Sequence, residues 1–379
     1  MNLWENLQAR KRLFSALKTG DISRKIGDRT VYPAIKSITH TDHYVQYAVK
    51  LPAGMNPDTL TDNLFVFQQI LGKHVVIDGE IGHFTITVYR KGLPSKLPYK
   101  LSEWQPVIEK KKLPIIVGRD RNNEPVAFDL ADYPHILISG ETGSGKSSLL
   151  RAILTTLMLE RSPENVRFVL GDLKLSEFGL YRRMPHVDGV HITASTLLPA
   201  LRLIKVEMER RGRLLDKNEV THVSELKDAI PYVVVAVDEV ALLRKEKEVM
   251  AIIEDISSIG RSLGVLLMLS MQRPDAEVLN GRLKNNLTVR ISGRQSNKRN
   301  AGVAGVEGAE TIKISDKGRM IFVLDQSVEV QTPWLEYDEA KRLLAPLKVK
   351  LAGELTPNET PNETPANEFR FGILDGEDS

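Results

Sequence analysis

Two patterns of apolar spacing divide the chain. Tyr44–Leu51 and His83–Tyr89 alternate apolar and polar side chains, as strands buried on one face do. Between them, Pro57–Leu71 opens with Asp58 and Thr59 and carries helix-spaced apolar residues. The pattern predicts a small α+β domain over residues 31–110. An N-terminal helix is expected within residues 1–30, because Leu3, Leu7, Phe14 and Leu17 recur between charges. Such a helix packs on its own domain or on a neighbouring subunit, or lies on a membrane surface. The charged, proline-ended Lys110–Pro114 marks the crossing to the next domain.

From Ile115 the runs become almost continuously apolar. Strands are predicted at His135–Ser139, Val166–Leu170, Tyr232–Val237, Val265–Ser270 and Val289–Gly293. Helices are predicted at Lys146–Glu160, Thr196–Leu215 and Lys247–Leu263. Apolar strands alternating with helices imply an α/β domain over 111–345, its mostly parallel sheet covered on both faces. The segment 346–379 contains TPNETPNETP at Thr356–Pro365 and reads as a disordered tail. Phe369 and Phe371 within it form either a docking motif or part of an idle tail.

Composition narrows the picture. There is no cysteine, so disulfides and thiolate metal sites are excluded. The formal charge of +3 is too small to argue for nucleic acid, and any such site must come from local clustering. No apolar run of about 18–20 residues occurs and the start is not a secretory signal. A cytoplasmic protein is expected, or one associated with a membrane through a partner.

The chemistry starts at Gly140–Ser147, GETGSGKS, which matches G-x-x-x-x-G-K-[ST] between a predicted strand and a predicted helix. Glycines let such a loop wrap phosphate with backbone N–H groups, and the helix N-terminus favours the anion. Gly140, Glu141, Thr142, Gly143, Ser144, Gly145, Lys146, Ser147 and Ser148 are the expected ATP-binding residues. Lys146 would neutralise the β- and γ-phosphates, and Ser147 would ligate Mg²⁺. PYVVVAVDE at Pro231–Glu239 is a buried strand ending in two carboxylates. Asp238 is expected to hold Mg²⁺ and Glu239 to activate or position the attacking water. Gln272, at the tip of a third strand, is a candidate γ-phosphate sensor or an ordinary turn residue. Arg261 in GRSLG is a candidate arginine finger for a neighbouring subunit or a surface ion pair. Arg282, Lys284, Arg290, Arg294, Lys298 and Arg299 make one stretch locally basic, suited to phosphates or to a solvated face.

Leu113–Ser148, LPIIVGRDRNNEPVAFDLADYPHILISGETGSGKSS, resembles the FtsK/SpoIIIE family closely. Further matches follow in order: Asp172 with Lys174, EMERR at Glu207–Arg211, VVVAVDE, GRSLG, MQRP and GRMIF at Gly318–Phe322. YAVKLPAG at Tyr47–Gly54 is similar to the family's YEVKLPPG, so the resemblance spans about residues 40–335. It implies a RecA-like P-loop ATPase domain working as a ring-shaped homo-oligomer, a hexamer, with double-stranded DNA in the channel. It implies that Arg261 is supplied in trans and that Arg273, Lys284, Lys298 and Arg299 face DNA.

Chromosome-partitioning members carry N-terminal membrane spans, a long linker and a C-terminal winged-helix domain, none of which is legible here. The expected function is therefore ATP-driven duplex translocation for a plasmid or mobile element, in conjugation, segregation or replication. The alternative is a coupling ATPase activated by a relaxase, replication or secretion partner. A single-strand motor lacks support from an aromatic content of only 6%. A non-motor adaptor sits poorly with the intact Lys146, Asp238 and Glu239 set.

Overall fold

The computed structural model describes residues 3–349. The chain folds as two compact units. One contains the described chain up to Pro94 with Arg121–Glu124; the other contains Ser95–Asp120 and the described residues from Pro125 onward. The crossing expected near 110 falls inside the second unit, whose core already includes Leu97, Tyr99, Trp104 and Ile108. The tail expected from 346 lies outside the described residues from 350 onward.

In the first unit, α1 (Leu3–Thr19) is followed by a short hairpin, β1 (Arg24–Ile26) and β2 (Arg29–Val31). Then come β3 (Ala34–His40), β4 (Tyr44–Lys50), α2 (Asp58–Asp62), α3 (Leu64–Leu71), β5 (Val75–Glu80) and β6 (His83–Tyr89). The sheet is antiparallel in the order β3-β4-β6-β5. Leu13, Leu17, Leu60, Phe67, Tyr47 and Ile86 form its core with the helices. The single helix expected over Pro57–Leu71 is two, separated at Asn63, whose amide donates to the Thr59 carbonyl at 2.9 Å.

The second unit opens with α4 (Gln105–Ile108), β7 (Pro114–Arg119), β8 (Pro125–Asp129), β9 (Ile136–Ser139) and α5 (Lys146–Glu160). It continues with β10 (Val166–Asp172), β11 (Val187–His191), α6 (Ala194–Lys217), β12 (Tyr232–Asp238), α7 (Lys247–Leu263) and β13 (Val265–Met271). It ends with α8 (Gly281–Asn286), β14 (Val289–Ser292), α9 (Lys298–Ala304), β15 (Arg319–Val323), β16 (Ser327–Gln331) and α10 (Tyr337–Leu344).

These strands form one sheet in the order β11-β10-β12-β13-β9-β14-β15-β16-β7-β8. Every pairing from β11 through β14 is parallel, and every pairing from β14 through β8 is antiparallel. The sheet is mixed, since a β15–β16 hairpin joins the central strands to β7 and β8. Alternation explains the continuous apolar runs. Ile136, Ile138, Val234, Ala236, Leu266 and Met268 pack with α5. Leu137, Val233, Val235, Val237, Leu267 and Leu269 pack beneath α6 and α7. A strand covered on both faces must be apolar at every position.

Candidate functional site

Register brings the chemistry to one sheet edge. Asp172 pairs with Asp238, and Met271 with Ser139, so the C-terminal ends of β10, β12, β13 and β9 are level. Loops at such an edge are where open α/β sheets bind ligands.

After β9 the chain turns through Gly140–Gly145 into α5. Gly140 and Gly145 hold φ of 147° and 102°, and a Cβ on Gly145 would stand 2.8 Å from the Gly318 Cα. No other residue type fits that approach. Gly143, by contrast, faces open space. The Ser144 hydroxyl is buried without a partner, and Ser147 makes no side-chain hydrogen bond among the described residues. An open backbone cradle at a helix N-terminus, with an orphan hydroxyl and a free one, fits a triphosphate and its Mg²⁺. The Ser148 hydroxyl is turned away from it: it accepts from the Leu335 N–H at 2.8 Å. Only the Ser148 backbone remains for phosphate. Glu141 is paired with Arg294, and the Thr142 hydroxyl donates to the Gln272 amide oxygen at 3.4 Å.

Two lysine–carboxylate pairs fill the adjacent edge. The Lys146 ammonium donates to Asp238 Oδ1 at 2.5 Å and to the Ser270 hydroxyl at 3.1 Å. Ser270 in turn donates to Asp238. Lys146 and Asp238 are both buried, which is tolerable only because each neutralises the other. Glu239 sits in the left-handed region, φ 60° and ψ 57°, so the chain turns sharply as β12 ends. Its side chain is swung across to β13. The Gln272 backbone N–H donates to its two carboxylate oxygens at 3.1 and 3.2 Å. Lys174 closes the arrangement, donating to Glu239 Oε2 at 2.6 Å.

Lys146, Asp238, Glu239 and Gln272 thus stand together with the glycine-rich loop. Lys174, Ser270 and Arg294 complete the set, although the sequence motifs assign them no role at this site. Ser270 was detectable as the one hydroxyl in the apolar strand VLLMLSM. Lys174 stands just beyond β10, but which strand lies beside β12 is a matter of topology.

Arg261 is elsewhere. It is exposed in the last turn of α7, immediately before β13 begins. That places it at the sheet edge opposite the glycine-rich loop, so it cannot serve the site of its own chain. The basic stretch also splits. Lys284 donates to the Gly302 carbonyl at 2.9 Å, and Arg290 to the Lys284 and Leu287 carbonyls at 2.8 and 3.1 Å. Arg273, Lys298 and Arg299 are exposed. Arg273 and Arg299 line a cleft of about 980 Å³ together with Thr142, Glu239 and Gln272. Among the described residues no group of three or more His, Asp or Glu could hold a metal by itself, and no helix is long and apolar enough to cross a membrane.

Known proteins share this construction. The DNA translocase FtsK of Borreliella burgdorferi is 32% identical over 254 residues, 62% of this chain and 32% of that protein. The FtsK of Staphylococcus epidermidis is 33% identical over 232 residues, 56% of this chain and 29% of its own. The chain thus matches about a third of the length of these relatives. Among solved structures, the pCW3 conjugation coupling protein TcpA, a monomer form with ATPγS, superposes with a TM-score of 0.61 at 23% identity, covering 89% of this chain and 99% of that one. The cytoplasmic domain of the Thermomonospora curvata type VII secretion ATPase EccC gives 0.55 at 23% identity, over 62% and 31% of the two chains. Both likenesses establish a shared P-loop ATPase fold. The sequence pattern of the FtsK/SpoIIIE family matches residues 102–303, more than half of the chain and including Lys146, Lys174, Asp238, Glu239 and Gln272, and this protein belongs to that family.

Proposed function

We propose that this chain hydrolyses Mg·ATP and uses the energy to move along double-stranded DNA as a ring-shaped oligomer, a hexamer. The observation that carries the reading is the pair of lysine–carboxylate contacts, Lys146–Asp238 and Lys174–Glu239, level with one another beside the glycine-rich loop. Mg²⁺, when bound by Ser147 and Asp238, would supply charge neutralisation at the β- and γ-phosphates. Lys146 exchanges its Asp238 contact for the phosphates. Glu239 orients a water towards the γ-phosphorus, and Gln272, touching Thr142, reports the state of that phosphate. Arg261 reaches the site of the next subunit. The exposed Arg273, Lys298 and Arg299 hold the duplex through its phosphates without reading bases.

A plasmid or mobile element is the DNA we favour, because the TcpA likeness runs across most of both chains. The same likeness motivates a second reading, a coupling ATPase stimulated by a protein partner and little by DNA.

The two are separated by ATP turnover with and without long linear duplex, across a salt series, with Lys146→Ala as control. Translocation predicts stimulation that grows with duplex length and falls steeply between about 50 and 200 mM salt. Lys146→Ala should abolish turnover. Turnover that depends on Lys146 yet ignores duplex would favour the coupling reading.

A further inference from the structure

We propose that Lys174 is a latch on the hydrolytic carboxylate: it holds Glu239 idle until the ion pair is opened. The inference rests on the reading of Glu239 as the group that orients the attacking water.

The geometry is specific. Glu239 is only 7% exposed at its side chain, and Lys174 Nζ lies 2.6 Å from Oε2. With the Gln272 N–H shared between its oxygens, both oxygens of the carboxylate are already engaged. A water presented to Glu239 competes with a charge-assisted bond, the stronger kind.

The lysine is also firmly mounted. The Asp172 carboxylate accepts from the backbone N–H groups of Ser176, Glu177 and Phe178 at 3.1, 3.3 and 3.0 Å, which fixes the loop carrying Lys174. Glu177 pairs with Arg151 of α5 at 2.8 Å, and Arg151 donates to the Leu335 carbonyl at 2.7 Å. The loop is therefore fastened to the helix whose first turn receives phosphate. The latch opens if a shift of α5 on nucleotide binding pulls on this loop through the Arg151–Glu177 pair, while Glu239 is held by the Gln272 N–H. Leu175, beside Lys174, is 68% exposed with φ 57°, so the tip of the loop is also reachable from outside.

Opening the pair transfers nothing. In the step that follows, a water O–H proton passes to Glu239 as the water oxygen bonds the γ-phosphorus. The bridging P–O bond to the β-phosphate breaks, leaving ADP and inorganic phosphate.

The test compares the wild-type chain with Lys174→Ala, Lys174→Met, Lys174→Arg and Glu239→Gln. The latch predicts that Ala and Met raise DNA-independent kcat about five- to tenfold, leave KM near its original value and shrink the stimulation by duplex; Arg restores the low rate. Binding of Mg·ATPγS, measured by calorimetry, should stay within about twofold in all four variants, which a merely structural role would not preserve. Unchanged or lower turnover in Ala and Met, or lost ATPγS binding, overturns the latch. If Glu239→Gln turns over like the wild type, the assignment of Glu239 fails and the latch with it. If Glu239→Gln is dead while Ala and Met stay slow, only the latch fails.

Discussion

His135 shows how much one side chain can decide. It leads into β9 with φ 64°, a conformation few non-glycine residues adopt, and its imidazole is buried. Nδ1 accepts the Leu267 N–H at 3.1 Å, so the ring stands in for a backbone carbonyl between β9 and β13. Burial lowers its pKa from 6.5 to about 4. The unfolded chain therefore takes up a proton before the folded one does. The resulting stability is complete above pH 6.5 and is lost as pH falls towards 4, on the order of 3 kcal/mol. His135→Asn keeps an acceptor and tolerates the backbone angle, but does not titrate. Urea unfolding at several pH values should show a shallower acid loss in this variant than in the wild type. Equal slopes would exclude His135 as the source.

At the scale of elements, α6 explains the EMERR motif. Arg211 is fully buried and donates to Glu207 at 2.7 Å, to the Leu263 carbonyl at 2.8 Å and to the Pro231 carbonyl at 2.8 Å. One guanidinium thus ties α6 to the end of α7 and the start of β12, the strand that delivers Asp238 and Glu239. Arg211→Met should cost about 3 kcal/mol or more in urea unfolding, because two carbonyls lose their donor within the core. A loss below about 1 kcal/mol would mean that water replaces the guanidinium.

Elements with strong local signals were legible in the sequence. The apolar runs predicted β9, β10, β12, β13 and β14 and the helices α5, α6 and α7, and the glycine spacing predicted the tight turn from β9 into α5. What escaped depends on contacts between distant segments. Neither β11 nor the β15–β16 hairpin has a pattern distinct enough to predict its place in the sheet. The half-exposed β3 and β5 of the first unit carry weak alternation. Lys174 was visible as a residue, but its meeting with Glu239 follows from β10 lying beside β12. The local basic cluster was legible too, yet its division into pinned and exposed members follows from how α8, α9 and β14 pack.

For the whole molecule, the position of Arg261 makes the proposed finger testable. A cation at the sheet edge opposite its own glycine-rich loop contributes to hydrolysis only if another chain presents a site to it. Arg261→Ala should lower turnover on the order of 10³-fold while nucleotide binding persists. Mixed with Lys146→Ala subunits, it should regain partial activity, since some interfaces would then hold one intact loop and one intact arginine. Differently tagged subunits that co-purify yet show no recovery at any mixing ratio would rule out action in trans.

The close approach of Gly145 to Gly318 also bears on how the protein is made. The Gly318 N–H donates to the Ser144 carbonyl at 2.9 Å, and Ser148 is bonded to Leu335. β9 itself is flanked by β13 and β14, strands far later in the chain. A nascent chain emerging from the ribosome carries the entire glycine-rich loop long before it carries the segments that shape it. Such dependence on distant pairing slows folding, and it leaves the glycine-rich loop without its neighbours Gly318 and Leu335 until late in synthesis.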